Sequence, residues 1–245
     1  MPTAVRWVVE SDEPVPLVRL VGVLDLPAAA SVRAALLTYL ADQDAAVIVD
    51  VSQLSIPEPA ALSIFAEVAE EAADSAFAQL LVCRSPNGPN GVWSASDLAV
   101  FASIDDALAR LEGMATPRTL AADLEPVVGT ARQARQLITD ACARWDLPEL
   151  AGPACIAVTE LVNNAVVHAK TRMTVRLARR DGALHIAVRD YSRQRPSFRG
   201  LVATDATGGR GLLLVDMVAR RWGTTALDDG KVVWAALYPE DERGA

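Results

Sequence analysis

The stretch Glu160-Leu161-Val162-Asn163-Asn164-Ala165-Val166-Val167-His168 decides how the chain is read. It lies in an apolar segment, 153–169, with helical spacing, and Glu160, Asn164 and His168 recur at four-residue steps. At about 3.6 residues per turn, the three form one polar stripe on an otherwise apolar helix. Such a stripe is costly to bury unless its groups are satisfied. It fits either a network closed within a core or a site. In a site, the carboxylate takes a proton, the carboxamide oxygen holds a hard cation, and the imidazole bridges to a phosphate or backbone group.

Working outward, residues 124–145 carry Val127, Ala131, Ala134, Leu137, Ile138 and Ala141 at helical spacing, and Pro148 closes that segment. Downstream, 174–177 and 183–188 flank Asp181-Gly182, while 224–227 and 232–237 flank Asp229-Gly230. Both patterns predict β-hairpins and so antiparallel neighbours. Between the hairpins lies the arginine-rich stretch that starts at Arg189-Asp190-Tyr191-Ser192. After it comes Gly208-Gly209-Arg210-Gly211-Leu212, predicted to open an apolar helix ending near Arg221. Glycines ahead of a helix let its first amides approach phosphate oxygens, and the helix dipole favours the negative charge. The run does not follow a strand directly and lacks Gly-Lys-Ser/Thr, which disfavours the dinucleotide-binding and P-loop folds.

The first half has a different rhythm. Strands are expected at 17–24, 46–51 and 79–83, and helices at 28–40, behind Pro27, at 59–73 and at 104–111. Strands alternating with helices imply a mostly parallel sheet. Before Thr116 there are 5 basic and 16 acidic residues, net −11; from there on the net charge is +3. That asymmetry, with the punctuation at 110–117, predicts two domains, 1–115 and 116–245. The acidic half repels nucleic acid and membrane surfaces. The local cluster Arg189, Arg193, Arg195, Arg199 and Arg210 suits a compact polyanion.

At 245 residues, with 51% hydrophobic and 22% charged, the chain is long and apolar enough to fold, which excludes disorder and fibrous repeats. No uninterrupted apolar run approaches the roughly 18 residues of a spanning helix, and the first ten residues lack the pattern of a signal peptide, so a cytoplasmic protein is expected. Cys83, Cys142 and Cys155 have no metal-type spacing and are expected as small core residues.

The order of helix stripe, strand-end aspartate and glycine-led helix resembles the GHKL ATPase superfamily, and within it the anti-sigma-factor serine kinases, over about residues 116–239. The resemblance implies a C-terminal GHKL (Bergerat) α/β sandwich that binds ATP and Mg²⁺. It makes Glu160 the general base, Asn164 the Mg²⁺ ligand and Asp190 the group that hydrogen-bonds the adenine amino group. Gly208, Gly209 and Gly211 become the phosphate lid and helix start, with Arg210 near the phosphates; Leu212 belongs to the same segment and His168 to the stripe. Two departures stand out. Tyr191-Ser192 replaces the glycines that often follow the aspartate, and Gly230-Lys231-Val232-Val233-Trp234 carries valine where relatives often have threonine.

The first half, over roughly residues 5–112, resembles a STAS domain, the fold of anti-sigma-factor antagonists. The likeness rests on Gly22-Val23-Leu24-Asp25, Val49-Asp50-Val51-Ser52 and a helix opening near Glu58, and implies an N-terminal mixed sheet with helices. Phosphorylatable members open that helix with Asp-Ser-Ser-Gly-Leu; this chain has Glu58-Pro59-Ala60-Ala61-Leu62, with no hydroxyl at Ala60. Together the resemblances imply a partner-switching kinase that phosphorylates a separate STAS antagonist. Its partners would be a sigma factor, that antagonist, or its own STAS-like domain, and homodimers are common among such kinases. Two other readings stay open: an anti-sigma protein acting by sequestration alone, and a small ATPase or histidine-kinase fragment.

Overall fold

The computed structural model describes residues 5–10, 15–43, 46–75, 78–84, 98–112, 118–180, 182–192 and 210–239. The backbone falls into two compact units, Met1–Ala73 with Phe77–Thr116, and Pro117–Ala245 with Asp74–Ala76. The protein is of the α/β class, with one five-stranded sheet in each unit.

In the first unit, β1 (Arg6–Glu10) runs antiparallel to β2 (Leu17–Val23), and β3 (Ala46–Ser55), β4 (Gln79–Cys83) and β5 (Val100–Phe101) follow in parallel, giving a mixed sheet. Parallel neighbours need crossovers. These are α1 (Leu26–Ala41), opened by Asp25 Oδ1 accepting from the Ala28 amide at 2.8 Å, and α2 (Ser63–Asp74). The helix expected over 59–73 begins instead as a 3₁₀ turn, Pro59–Leu62, and becomes α-helical only at Ser63. α3 (Ile104–Glu112) closes the unit and buries Ala107. One buried ion pair ties the sheet together: Asp50 on β3, 4% exposed, meets Arg19 on β2 at 2.7 Å, and Arg19 also meets Glu10 on β1 at 3.2 Å. The Asp50 Oδ1 accepts from the Ser52 amide, so the carboxylate is satisfied on both oxygens.

The second unit is an antiparallel sheet of order β6-β7-β8-β10-β9, with β6 at Arg118–Leu124, β7 at Met173–Arg180, β8 at Ala183–Asp190, β9 at Arg221–Leu227 and β10 at Gly230–Leu237. Helices α4 (Thr130–Trp145), α5 (Ala151–Asn164) and α6 (Arg210–Val218) share one core with it. Strand alternation puts Met173, Val175 and Leu177, then Leu184, Ile186 and Val188, then Val233, Ala235 and Leu237 into that core, against Ile138, Val158, Leu161 and Val215 of the helices. With its flanking turns, 148–169, α5 is long and apolar enough by composition to cross a membrane. Its buried residues Ala154, Ala157, Val158, Leu161 and Val162 belong to this protein core. The thiols of Cys83 and Cys142 are buried, and burial pushes them up to about 12 and about 11, so they stay protonated; Cys155 is half-buried.

Three expectations are corrected here. The helix expected from residue 124 starts only at Thr130, with Leu124 ending the strand β6, because the buried Thr130 hydroxyl donates toward the Glu125 and Val127 carbonyls and ties down the loop between them. Val127, placed on the helix face by its spacing, is 57% exposed in that loop. α6 stops at Val218, and Arg221 already belongs to β9. The last hairpin turns at Asp228 and Asp229, since Gly230 pairs with Leu227.

Gly230 is needed for a different reason: a Cβ there would lie 2.0 Å from the Asp190 carbonyl oxygen and 3.0 Å from the Tyr191 Cα. Backbone cannot give way as a side-chain tip can. Gly230→Ala is therefore expected to push β10 off the end of β8 and lower stability by about 1–3 kcal/mol, read as a lower urea midpoint; an unchanged midpoint would contradict this close approach.

Candidate functional site

Three elements meet where the sequence placed its candidates. Glu160 and Asn164 lie one turn apart on α5, both half-buried. Facing Glu160 is Gly211 in the first turn of α6: a Cβ there would stand 2.5 Å from the Glu160 Oε2. The absent side chain thus gives the carboxylate its room. Gly211 is the second residue of α6, so the carboxylate stands by the amino-terminal turn of that helix, where the dipole favours an anion.

After Asn164 the helix widens. Residues Ala165–Ala169 form a π turn, closed by the Lys170 amide on the Ala165 carbonyl at 2.9 Å with Lys170 at φ 54°. A π turn takes more residues per turn than an α turn, so His168 is not stacked on Asn164 as a regular four-residue step would place it. His168 is exposed. It leaves the stripe that Glu160 and Asn164 begin, because the winding changes between the two.

Asp190 ends β8 on the helix-covered face, in step with Leu184, Ile186 and Val188. It is 2% exposed. Its Oδ1 accepts from the Ser192 amide at 3.0 Å, and its Oδ2 lies 2.8 Å from the Nζ of Lys231, directly opposite on β10. The sequence reading singled out the valines after Lys231 and missed Lys231 itself. The signal was present: Lys231 has the inward parity of Val233, Ala235 and Leu237, and a lysine on an inward face calls for a carboxylate partner. The residues replacing the expected glycines are held too. The Tyr191 amide donates to Thr171 Oγ1 at 3.1 Å, and the guanidinium carbons of Arg172 and Arg189 each lie over its ring, at 4.8 and 4.9 Å from the ring centroid. Arg189 in turn grips both oxygens of Asp229 at 2.9 Å.

Leu212 is half-buried in the first turn of α6. Arg210 is the first residue of that helix. Gly208 and Gly209 lie outside the described residues, as do Arg193, Arg195 and Arg199. Among the described residues no group of three or more His, Cys, Asp or Glu side chains is placed to hold a metal ion. A Mg²⁺ ion needs no such cage when it is shared with phosphate oxygens.

Against known protein families, residues 124–237 match the histidine kinase-like ATPase domain. The second unit therefore carries an ATPase domain of that type, with the ATP binding that the type implies. No curated protein matches the chain. Similar solved structures include the RsbU and RsbW domains of a Mycobacterium tuberculosis protein, at 18% identity over 51% of this chain and 33% of that one, TM-score 0.37. An anti-sigma factor antagonist from Mycobacterium paratuberculosis aligns at 21% identity over 46% of this chain and 97% of that one, TM-score 0.38. The anti-sigma factor antagonist SpoIIAA in its unphosphorylated form aligns at 19% over 45% and 99%, TM-score 0.36. The chain spans about a third of the length of the first of these, 33%.

The Gly211 contact yields a test. Alanine there meets only the tip of a flexible side chain and has the better helix propensity, by about 1 kcal/mol, so the fold is kept. The Glu160 carboxylate must move by roughly an ångström, and a misplacement of that size costs up to about a hundredfold in rate. Gly211→Ala is expected to keep its melting temperature and lose ATP turnover; full turnover would show that Glu160 does not act from this position.

Proposed function

We propose that the chain is an ATP-dependent serine/threonine protein kinase and anti-sigma regulatory factor of a partner-switching system, acting on a separate STAS antagonist. In this reading residues 1–115 form a STAS-like domain that cannot take the phosphate, and 116–245 the kinase. The observation that carries the proposal is the Glu160 carboxylate, seated against the first turn of α6 through Gly211 with Asn164 one turn away on the same helix.

The residues fit the nucleotide and its ion. Glu160 accepts the proton of the substrate hydroxyl as its oxygen bonds to the γ-phosphorus; the bond from that phosphorus to the bridging oxygen breaks, and ADP leaves. The Asn164 side-chain oxygen would hold Mg²⁺ together with phosphate oxygens, and the ion supplies neutralisation of the phosphate charge. The α6 N-terminus supplies amides and dipole to the same charge. Asp190 is the base-reading carboxylate, and by the resemblance Gly208, Gly209 and Gly211 would form the phosphate lid and helix start, with Arg210 as the cation for the phosphates. Such chemistry asks chiefly for positioning and charge neutralisation.

The first unit supports its assigned part. Pro59-Ala60-Ala61-Leu62 forms the 3₁₀ turn ahead of α2, and none of these side chains carries a hydroxyl. Ser63, the nearest serine after it, is exposed and bonded to Glu67 at 3.0 Å. A phosphate there would be repelled by that carboxylate.

One observation favours a second reading, sequestration of a sigma factor without phosphoryl transfer: both oxygens of Asp190 are engaged within the protein. Transfer of labelled γ-phosphate from ATP to STAS proteins of the same genome separates the two. The kinase reading expects labelling that falls by about a hundred- to ten-thousandfold in Glu160→Ala. It also expects loss of Mg²⁺-dependent ATP binding in Asn164→Ala with the fold intact. Bound nucleotide with no transfer from the wild type would reject the kinase and leave sequestration.

A further inference from the structure

We propose that Lys231 is a second base-reading residue, whose ammonium, fixed by Asp190, donates a hydrogen bond to the N1 acceptor of the purine. The inference rests on the nucleotide reading above and adds to it a residue that the reading does not use.

A carboxylate alone offers only acceptors, and so recognises an amino group and nothing beside it. Here the carboxylate does not stand alone. Asp190 and Lys231 are direct partners across β8 and β10, and their charged atoms lie 2.8 Å apart. The Asp190 side chain is 3% exposed and that of Lys231 12%. Of the three N–H donors of an ammonium, one faces Asp190, and no second acceptor for Nζ stands among the described residues.

The pair therefore offers an acceptor and a donor side by side. The edge of adenine offers the complement, the N6 amino donor beside the N1 acceptor. With Ser192 already on Oδ1, the remaining accepting capacity of Asp190 suits the amino group, and Lys231 suits N1. Two neighbouring strands that approach as closely as Gly230 and Asp190 hold such a pair in place. An ion pair serving only to join the strands would not distinguish one ring atom of a bound base from another.

The test edits the ligand as well as the protein. The full-length chain is titrated calorimetrically with ADP and with 1-deaza-ADP, in which a C–H replaces N1, both as the wild type and as Lys231→Met. A charge-assisted hydrogen bond in a buried site predicts that the wild type prefers ADP by about ten- to a hundredfold. Lys231→Met is expected to lose affinity for ADP to a similar extent and to bind both ligands alike. Equal affinities in the wild type would overturn the inference while leaving nucleotide binding in place, as would a methionine variant that keeps the preference or binds ADP more tightly. A wild type that binds neither ligand would overturn the nucleotide reading itself. The ligand pair on the wild type decides the matter even if the variant does not fold.

Discussion

Two close approaches at glycines organise the second unit, one against backbone and one against a carboxylate. At Gly230 the end of β10 comes against the Asp190 carbonyl, and at Gly211 the first turn of α6 comes against the Glu160 carboxylate. The first approach sets Lys231 opposite Asp190; the second puts the amino end of a helix over the acidic group of α5. Both carboxylates lie on the side of the sheet covered by helices, where an unpaired charge is costly. The fold meets that cost differently in each place. Asp190 is closed by an ammonium and an amide, whereas the half-buried Glu160 is left room and a dipole.

The first unit shows what a purely structural solution looks like in the same chain. Asp50 is buried, paired with Arg19 and bonded to an amide, and Arg19 reaches on to Glu10, so a charge run crosses three adjacent strands. The 3₁₀ turn at Pro59–Leu62 carries no side-chain hydroxyl. The charge asymmetry read from the sequence, an acidic half beside a half with net charge +3, falls close to the boundary between the two units.

Much of this was legible in the sequence because it rests on periodicity. Core strands such as β3, β7, β8 and β10, and the helices α1, α4 and α5, have buried faces that write their pattern into the residues. Edge strands do not. β1 and β6 have mostly exposed or half-buried residues, so neither is expected from the sequence, and the helix expected over 124–145 takes in only Leu124 of β6 together with the loop after it. Within the site, Glu160 and Asn164 fall on one helix face as their spacing required. His168 does not follow, because a π turn intervenes and spacing cannot announce a change of winding. Lys231 stands beside the valines that depart from the resemblance, and nothing in its neighbours along the chain marks it. Its inward parity on β10 was the physical clue, and it needed the strand register to become a statement about Asp190.

The central claim is that the second unit folds around a site for a magnesium-bound nucleoside triphosphate. Thermal unfolding of the full-length chain in rising concentrations of ATP, with magnesium present, tests it most directly. A ligand that binds only the folded state adds about 2.7 kcal/mol at a hundred times its dissociation constant. The account predicts a melting temperature that climbs steadily with the logarithm of ATP concentration once the site is filled. A melting temperature unmoved by millimolar ATP would contradict it.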